Sequence, residues 1–190
     1  MKWAIIRIAG LVLLLAGVAV LLPGDGAEAW PPPANCYDFT TGGGWFTPTP
    51  LGNDKANFGF EVGYKNGPPP PPLRGNLNYI DHNNGMHFKA TTVDTYTAYS
   101  CTDASGRDCD DRAFSGKAEV NGMTGYTYAA EVIDDGEPGN KPKGHDRFML
   151  TVSGPNSFSY HADSGGAPCT ASTCGIDGGN IEVHKECTSP

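Results

Sequence analysis

The sequence lacks the short motifs that identify the common classes of hydrolase. None of its 190 residues forms Ser-x-x-Lys, Gly-x-Ser-x-Gly or His-Glu-x-x-His, patterns that place a nucleophile or a metal beside a base. Isolated carboxylates are plentiful, but a glycosidase needs two of them at a set separation, which depends on the fold. We therefore expect a non-catalytic protein, with a secreted hydrolase acting on an extracellular polymer as the alternative.

Basic residues are also scarce. The chain has 13 Lys and Arg against 21 Asp and Glu, a formal net charge of −8. Such a surface repels nucleic-acid phosphates and anionic lipid headgroups. We expect no nucleic-acid partner and no stable membrane insertion of the mature chain. The expected partner is an extracellular protein or a cell-surface polymer.

The chain has no apolar run long enough to span a membrane. Residues 8–22 are apolar apart from two glycines, which gives about 15 residues where a spanning helix needs about 20. Lys2 and Arg7 precede this run, and Ala27 and Ala29 place small residues where signal peptidase reads the chain. The pattern predicts a signal peptide over residues 1–29 and a secreted protein, with the bacterial cell surface or periplasm as alternative locations.

Residues 30–190 are expected to form one all-β domain, because 161 residues is a usual domain size. No sustained 3.6-residue apolar period follows residue 29, whereas alternation with a period of two recurs, most clearly at Phe58, Phe60 and Val62. Turn residues such as Asn121-Gly122 separate these segments. The pattern predicts an antiparallel meander of about 8–9 strands, as a β-sandwich or a barrel.

Six cysteines lie in the predicted mature chain. An even number in an exported chain predicts a disulfide framework. Proximity along the chain favours Cys101 with Cys109 and Cys169 with Cys174, which leaves Cys36 for Cys187. The alternative is a metal site, but these spacings differ from the Cys-x2-Cys of zinc ribbons.

Eight short motifs in chain order resemble a family of bacterial secreted domains, the post-COAP domain. They are TGGGW at 41–45, NFGF at 57–60, GNL at 75–77, YIDH at 79–82, VNG at 120–122, GYTY at 125–128, DGEPG at 135–139 and GGNI at 178–181. The resemblance implies an all-β module of an exported or cell-surface protein and carries over no activity and no functional residue. Residues 101–112 and 164–175 depart from the pattern and look like added loops.

The densest acidic segment is a candidate calcium site. It comprises Asp134, Asp135, Glu137 and Asp146, and Ca²⁺ takes six to eight oxygen ligands of this kind. The spacing is not that of an EF-hand. The alternative is an acidic hairpin loop in which Gly and Pro set the turn and Asp caps backbone groups. No cofactor other than calcium is expected.

Three histidines offer a second candidate metal site. His82 and His87 flank the turn at residues 83–85, and His184 approaches this site if the last strand lies alongside. Three imidazoles suit Zn²⁺. The alternative is that these histidines are exposed residues at strand ends.

Two kinds of binding surface are compatible with the sequence. Trp45, Tyr64, Tyr79 and Tyr96 form a stacking platform for sugar rings if they face solvent, but we favour a core position for Trp45. Loops stiffened by a disulfide lose less entropy on binding. We therefore expect contacts through residues 102–111 and 165–175.

Overall fold

The computed structural model describes residues 37–48, 54–65, 71–102, 108–135, 146–165 and 175–185. This part of the chain contains ten strands and one short 3-10 turn, Pro155–Ser157. The strands are β1 (Asp38–Phe46), β2 (Ala56–Tyr64), β3 (Leu73–Asp81), β4 (Met86–Ala90), β5 (Thr95–Thr102), β6 (Asp108–Val120), β7 (Met123–Asp134), β8 (Arg147–Gly154), β9 (Phe158–Asp163) and β10 (Gly178–Lys185). No helix among these residues is long and apolar enough to cross a membrane.

All ten strands belong to one antiparallel sheet, ordered β10-β1-β2-β3-β4-β6-β7-β8-β9, with β5 also paired to β6. The sheet curls into a half-barrel. The prediction of an all-β antiparallel meander is therefore confirmed. Two strands, β1 and β5, are additional to those that apolar alternation indicates.

β4 and β5 are two halves of one bent strand, because both pair with β6 along the same edge. At the bend, the backbone N–H groups of Thr91 and Thr92 both donate to the Lys117 carbonyl. Gly116 permits this close approach, since a Cβ there would overlap the Thr92 carbonyl oxygen. The bend helps the sheet to curl.

The turn between β6 and β7 has the predicted chemistry. Asn121 and Gly122 have φ values of 51° and 76°, the left-handed conformation that a two-residue hairpin turn requires at both positions. Asn tolerates this conformation and Gly adopts it without strain. The turn therefore sets the pairing of Val120 with Met123, and a register shift between Ala118 and Val120 sets the pairing of the rest of both strands.

The interior of the half-barrel is aromatic. Phe148 on β8 stacks against Phe58 on β2, with ring centroids 4.4 Å apart and planes 12° from parallel. Its ring also lies 5.9 Å from Phe46 and 6.1 Å from Tyr79. Because β8 is not a sheet neighbour of β1, β2 or β3, these contacts hold the two sides of the curl together.

The predicted disulfide between Cys101 and Cys109 is present, and it joins β5 to β6. Cys36, Cys169, Cys174 and Cys187 lie outside the described residues. Their pairing stays a prediction.

Candidate binding surface on the outer face of the sheet

Two of the acidic residues proposed to bind calcium, Asp134 and Asp146, lie along the edge of β10 that does not pair with β1. Asp146 accepts the Ile181 backbone N–H through Oδ2 at 2.8 Å, and Asp134 accepts the Val183 N–H at 2.9 Å. The two carboxylates therefore take the place of a further strand along this edge, which prevents its pairing with another chain. We name this contact the seam.

Burial affects the chemistry of the seam. Asp146 is 7% exposed, and burial raises the pKa of its carboxyl to about 6. The negative charges of Asp134 and Asp135 also raise it, whereas the backbone N–H bonds to Asp146 lower it. Glu137 lies outside the described residues. The calcium site stays a prediction, which thermal melting of the protein with calcium and with a chelator tests.

The three histidines proposed for zinc are not brought together. His82 is hydrogen-bonded to Asn57, and His87 lies opposite Ile80 on the neighbouring strand. His184 is on β10, four strands from β4 in the sheet. No group of three His, Cys, Asp or Glu in the described part of the chain is arranged to hold a metal ion.

The candidate stacking aromatics divide between the core and the surface. Tyr79 and Tyr96 are buried, and the Tyr79 hydroxyl is 2.7 Å from that of Tyr160. Tyr64 is half-buried and packs edge-on against Tyr96. Trp45 lies half-buried on the outer face, opposite Asn57, so the core position favoured for it is wrong.

A buried ion pair that sequence reasoning missed lies inside the half-barrel. Arg112 donates from Nε and Nη2 to the two carboxylate oxygens of Asp38, both at 2.8 Å. The Tyr96 hydroxyl donates to the same carboxylate at 2.6 Å. Burial lowers the pKa of Arg112, but its bonds to Asp38 outweigh this and raise it. The only sequence signal is that Arg112 shares its strand face with the buried Phe114.

The outer face of β1, β2 and β3 contains a cavity of about 440 Å³. Across β10, β1, β2 and β3 the register aligns His184, Phe39, Gly63 and Arg74 in one row. The cavity is lined by residues of this row and of the next one, among them Phe39, Glu61, Gly63, Lys65, Arg74 and Asn76. We call the part of this cavity between Phe39 and Arg74 the slot.

Gly63 lets β1 and β2 approach each other closely beside the slot. Its φ is +140°, a conformation that residues with a side chain rarely adopt. A Cβ at this position would overlap the Phe39 backbone. Phe39 and Arg74 are two strand spacings apart, roughly 10 Å. Gly63 contributes no side chain between them but is itself buried.

The charges around the slot are unevenly matched. Lys65 forms an ion pair with Glu61 at 2.8 Å, and its ammonium lies 4.8 Å from the centroid of the Phe39 ring. The His184 ring stacks on Phe39 at 4.5 Å. Arg74 is exposed and contacts no acidic partner among the described residues. The residues lining the slot therefore leave one positive charge unmatched.

A band of glycines and side-chain amides continues from the slot along the same face. Gly43 and Gly59 face each other across β1 and β2, and Gly59 faces Asn78 on β3. A Cβ at Gly59 would meet no atom within 4 Å. Asn76 and Asn78 are exposed. We call Gly43, Gly59, Asn76 and Asn78 the amide trough.

A pair of carboxylates lies on the opposite outer face, on β6 and β7. Asp111 is directly opposite Ile133, which makes Glu131 its diagonal neighbour. Burial, followed by the negative charge of Glu131, raises the pKa of Asp111 to about 6, although the charges of Arg112 and Arg147 lower it. Asp111 Oδ1 and Arg147 Nε are buried without a hydrogen-bond partner.

No protein-family model, curated protein or solved structure matches the chain. The resemblance to the post-COAP domain therefore stays a prediction based on the eight motifs.

Proposed function

We propose that this chain is an exported, non-catalytic β module that binds an extracellular polymer through the slot and the amide trough. The single observation that carries the proposal is the open slot. It has at one side the Arg74 guanidinium, which has no acidic partner among the described residues, and at the other side the Phe39 ring; both residues lie on strands. Groups fixed on strands keep their geometry better than groups on loops.

The extent of the surface favours a polymer over a small molecule. A small-molecule site usually encloses most of its ligand in a concave pocket. The slot opens instead onto the amide trough, and the trough continues along β1 towards Trp45. Trp45 follows Phe39 by six residues on the same face of β1, which corresponds to roughly 20 Å. Several units of a chain molecule fit along this length.

The disulfide between Cys101 and Cys109 supports an extracellular location, because such bonds persist mainly in oxidising compartments. The predicted signal peptide points to the same location. The other partner class expected from the sequence is an extracellular protein. The trough offers such a partner no apolar anchoring site, because its residues are asparagines and glycines.

Co-sedimentation tests the proposal. The mature chain is mixed with insoluble polysaccharides and with cell-envelope fractions, and the bound fraction is measured. We expect binding that falls about tenfold for the double variant N76A/N78A, since two hydrogen-bonding groups are lost. Thr127→Ala, an exposed position on β7, is the matched control and should bind like the unchanged chain. If N76A/N78A binds as much polymer as Thr127→Ala, the binding surface is not the trough.

A secreted hydrolase is the second candidate function, favoured by the Asp111 and Glu131 pair. A carboxyl with a raised pKa beside a second carboxylate is the arrangement of acid and base in glycosidases. Polysaccharide cleavage is measured as new reducing ends. Activity that Asp111→Asn abolishes while Asn76→Ala leaves it intact would favour the hydrolase over the binding module.

A further inference from the structure

We propose that the slot recognises a carboxylate-bearing sugar unit, so that the bound polymer is an acidic polysaccharide. This inference rests on the proposed function, because it names the substrate class of the same surface. It follows from the charge of Arg74, from the shape of the slot and from the polarity of the trough.

Arg74 supplies the charge recognition. The guanidinium is a planar fork that donates two parallel N–H bonds to a carboxylate. Arg74 is exposed and has no acidic partner in the described part of the chain, so no existing ion pair has to break when a ligand binds. Glu61 does not neutralise it, because Lys65 already holds that carboxylate at 2.8 Å.

The overall charge makes this local cation significant. The chain has a formal net charge of −8, so an anionic polymer is repelled by most of the surface. On the outer face of β1 to β3, however, Lys55 lies over the Trp45 ring at 3.7 Å, and Lys65 and Arg74 lie at the slot. Lys65 is paired with Glu61, so Lys55 and Arg74 are the cations at the two ends of the trough, where they can bind successive acidic units of a polymer.

The slot also has the shape for a ring. Phe39 and Arg74 border it, about 10 Å apart, and the cavity has a volume of about 440 Å³. A single sugar ring with a carboxylate at its edge places that carboxylate at Arg74 and its C–H groups towards Phe39. The ring of Phe39 is held in position by His184, which stacks on it at 4.5 Å.

The trough favours a sugar chain over an acidic peptide. Protein interfaces depend on aromatic or aliphatic anchors that are buried at their centre. The trough offers Asn76 and Asn78 side-chain amides, which donate to and accept from hydroxyl groups. Gly43 and Gly59 let the backbone approach a ligand closely.

Affinity measurements on the mature chain test the inference, with polygalacturonate and its carboxyl-reduced form as probes. We expect polygalacturonate to bind about tenfold more tightly than the reduced polymer, since a hydrogen bond to a charged group is lost on reduction. Arg74→Gln should abolish this difference. Lys117→Gln, which removes one exposed positive charge on β6, should preserve it.

Each outcome separates the inference from the proposed function. If both polymers bind equally tightly, the acidic preference is wrong and the binding function stands. If neither polymer binds and the envelope fractions also fail to bind, the proposed function is wrong. Tighter binding to a polyphosphate or to an acidic peptide than to polygalacturonate would also overturn the inference. Unchanged melting of Arg74→Gln confirms that a loss of binding is not a loss of fold.

Discussion

Arg112 and Asp38 form a two-bond ion pair in the interior of the half-barrel, although their strands, β6 and β1, are not neighbours in the sheet. The side chains are 3% and 2% exposed. A buried charge is costly unless it is paired and its hydrogen-bonding groups are satisfied. Asp38 meets this condition with the help of Tyr96, and the pair connects the two sides of the curl at one end of the core.

Breaking this pair should strongly destabilise the fold. Asp38→Asn leaves the Arg112 charge without its partner, and we expect a loss of about 3–5 kcal/mol in the free energy of unfolding. Urea unfolding followed by circular dichroism measures it. Glu61→Gln breaks the exposed pair with Lys65 and should cost about 0–1 kcal/mol. Similar losses for the two variants would contradict a structural role of the buried pair.

Gly63 provides a second comparison between matched positions. Gly63→Ala must place a Cβ against the Phe39 backbone at φ +140°, so we expect destabilisation of roughly 1–3 kcal/mol. Gly59 lies four residues earlier on the same strand face, and a Cβ there meets open space. Gly59→Ala should change stability by less than about 1 kcal/mol. Thermal or urea unfolding measures both free energies. An equal loss of stability at both sites would contradict the overlap of a Cβ at Gly63 with the Phe39 backbone.

Apolar alternation was sufficient to predict most of the strands. At β2, Phe58 and Phe60 are buried and Glu61 is exposed, as a half-buried strand requires. Apolar alternation does not predict β1, because Gly42, Gly43 and Gly44 contribute no side chains to the pattern. β5 does not meet this criterion because its apolar alternation is limited to Tyr96 and Ala98: Ser100 takes the next position on that face, and the aromatic Tyr99 is exposed.

The ion pair and the slot could not be predicted from local patterns. Arg112 and Asp38 are 74 residues apart, and their contact depends on the curl of the whole sheet. The slot needs Phe39, Gly63 and Arg74 in register on three strands. A register slip of one residue in any of these strands would turn its side chain to the other face. Sequence periodicity predicts which face of a strand each side chain occupies. It does not predict which residues of neighbouring strands lie side by side.

The disulfide framework is tested by reduction and mapping. Replacing Cys101 and Cys109 with serine should reduce the free energy of unfolding by roughly 2–3 kcal/mol, since a short ring restrains the unfolded chain only moderately. Non-reducing peptide mapping should identify this bond together with the predicted Cys169–Cys174 and Cys36–Cys187 bonds. Free thiols, or a crossed pair such as Cys109 with Cys169, would overturn the predicted framework.

Asp146 should make the seam sensitive to pH. Burial raises its folded-state pKa to about 6, above the value near 4 of an unfolded aspartate. Between these two values the folded chain binds more protons than the unfolded chain, so the contribution of Asp146 to stability falls as pH rises from about 4 to about 6. Asp111 has a raised pKa of about 6 and acts in the same direction, so the variant Asp111→Asn serves to isolate Asp146.

The measurement is the carboxyl carbon shift of Asp146, followed by NMR across pH 3 to 8 in the Asp111→Asn background. We expect a midpoint near 6, accompanied by shifts of the Ile181 and Asp135 amides, because both donate to this carboxylate. A midpoint near 4 for Asp146, or amides of Ile181 and Asp135 that do not respond, would show that the seam does not hold this carboxylate in the buried position described above.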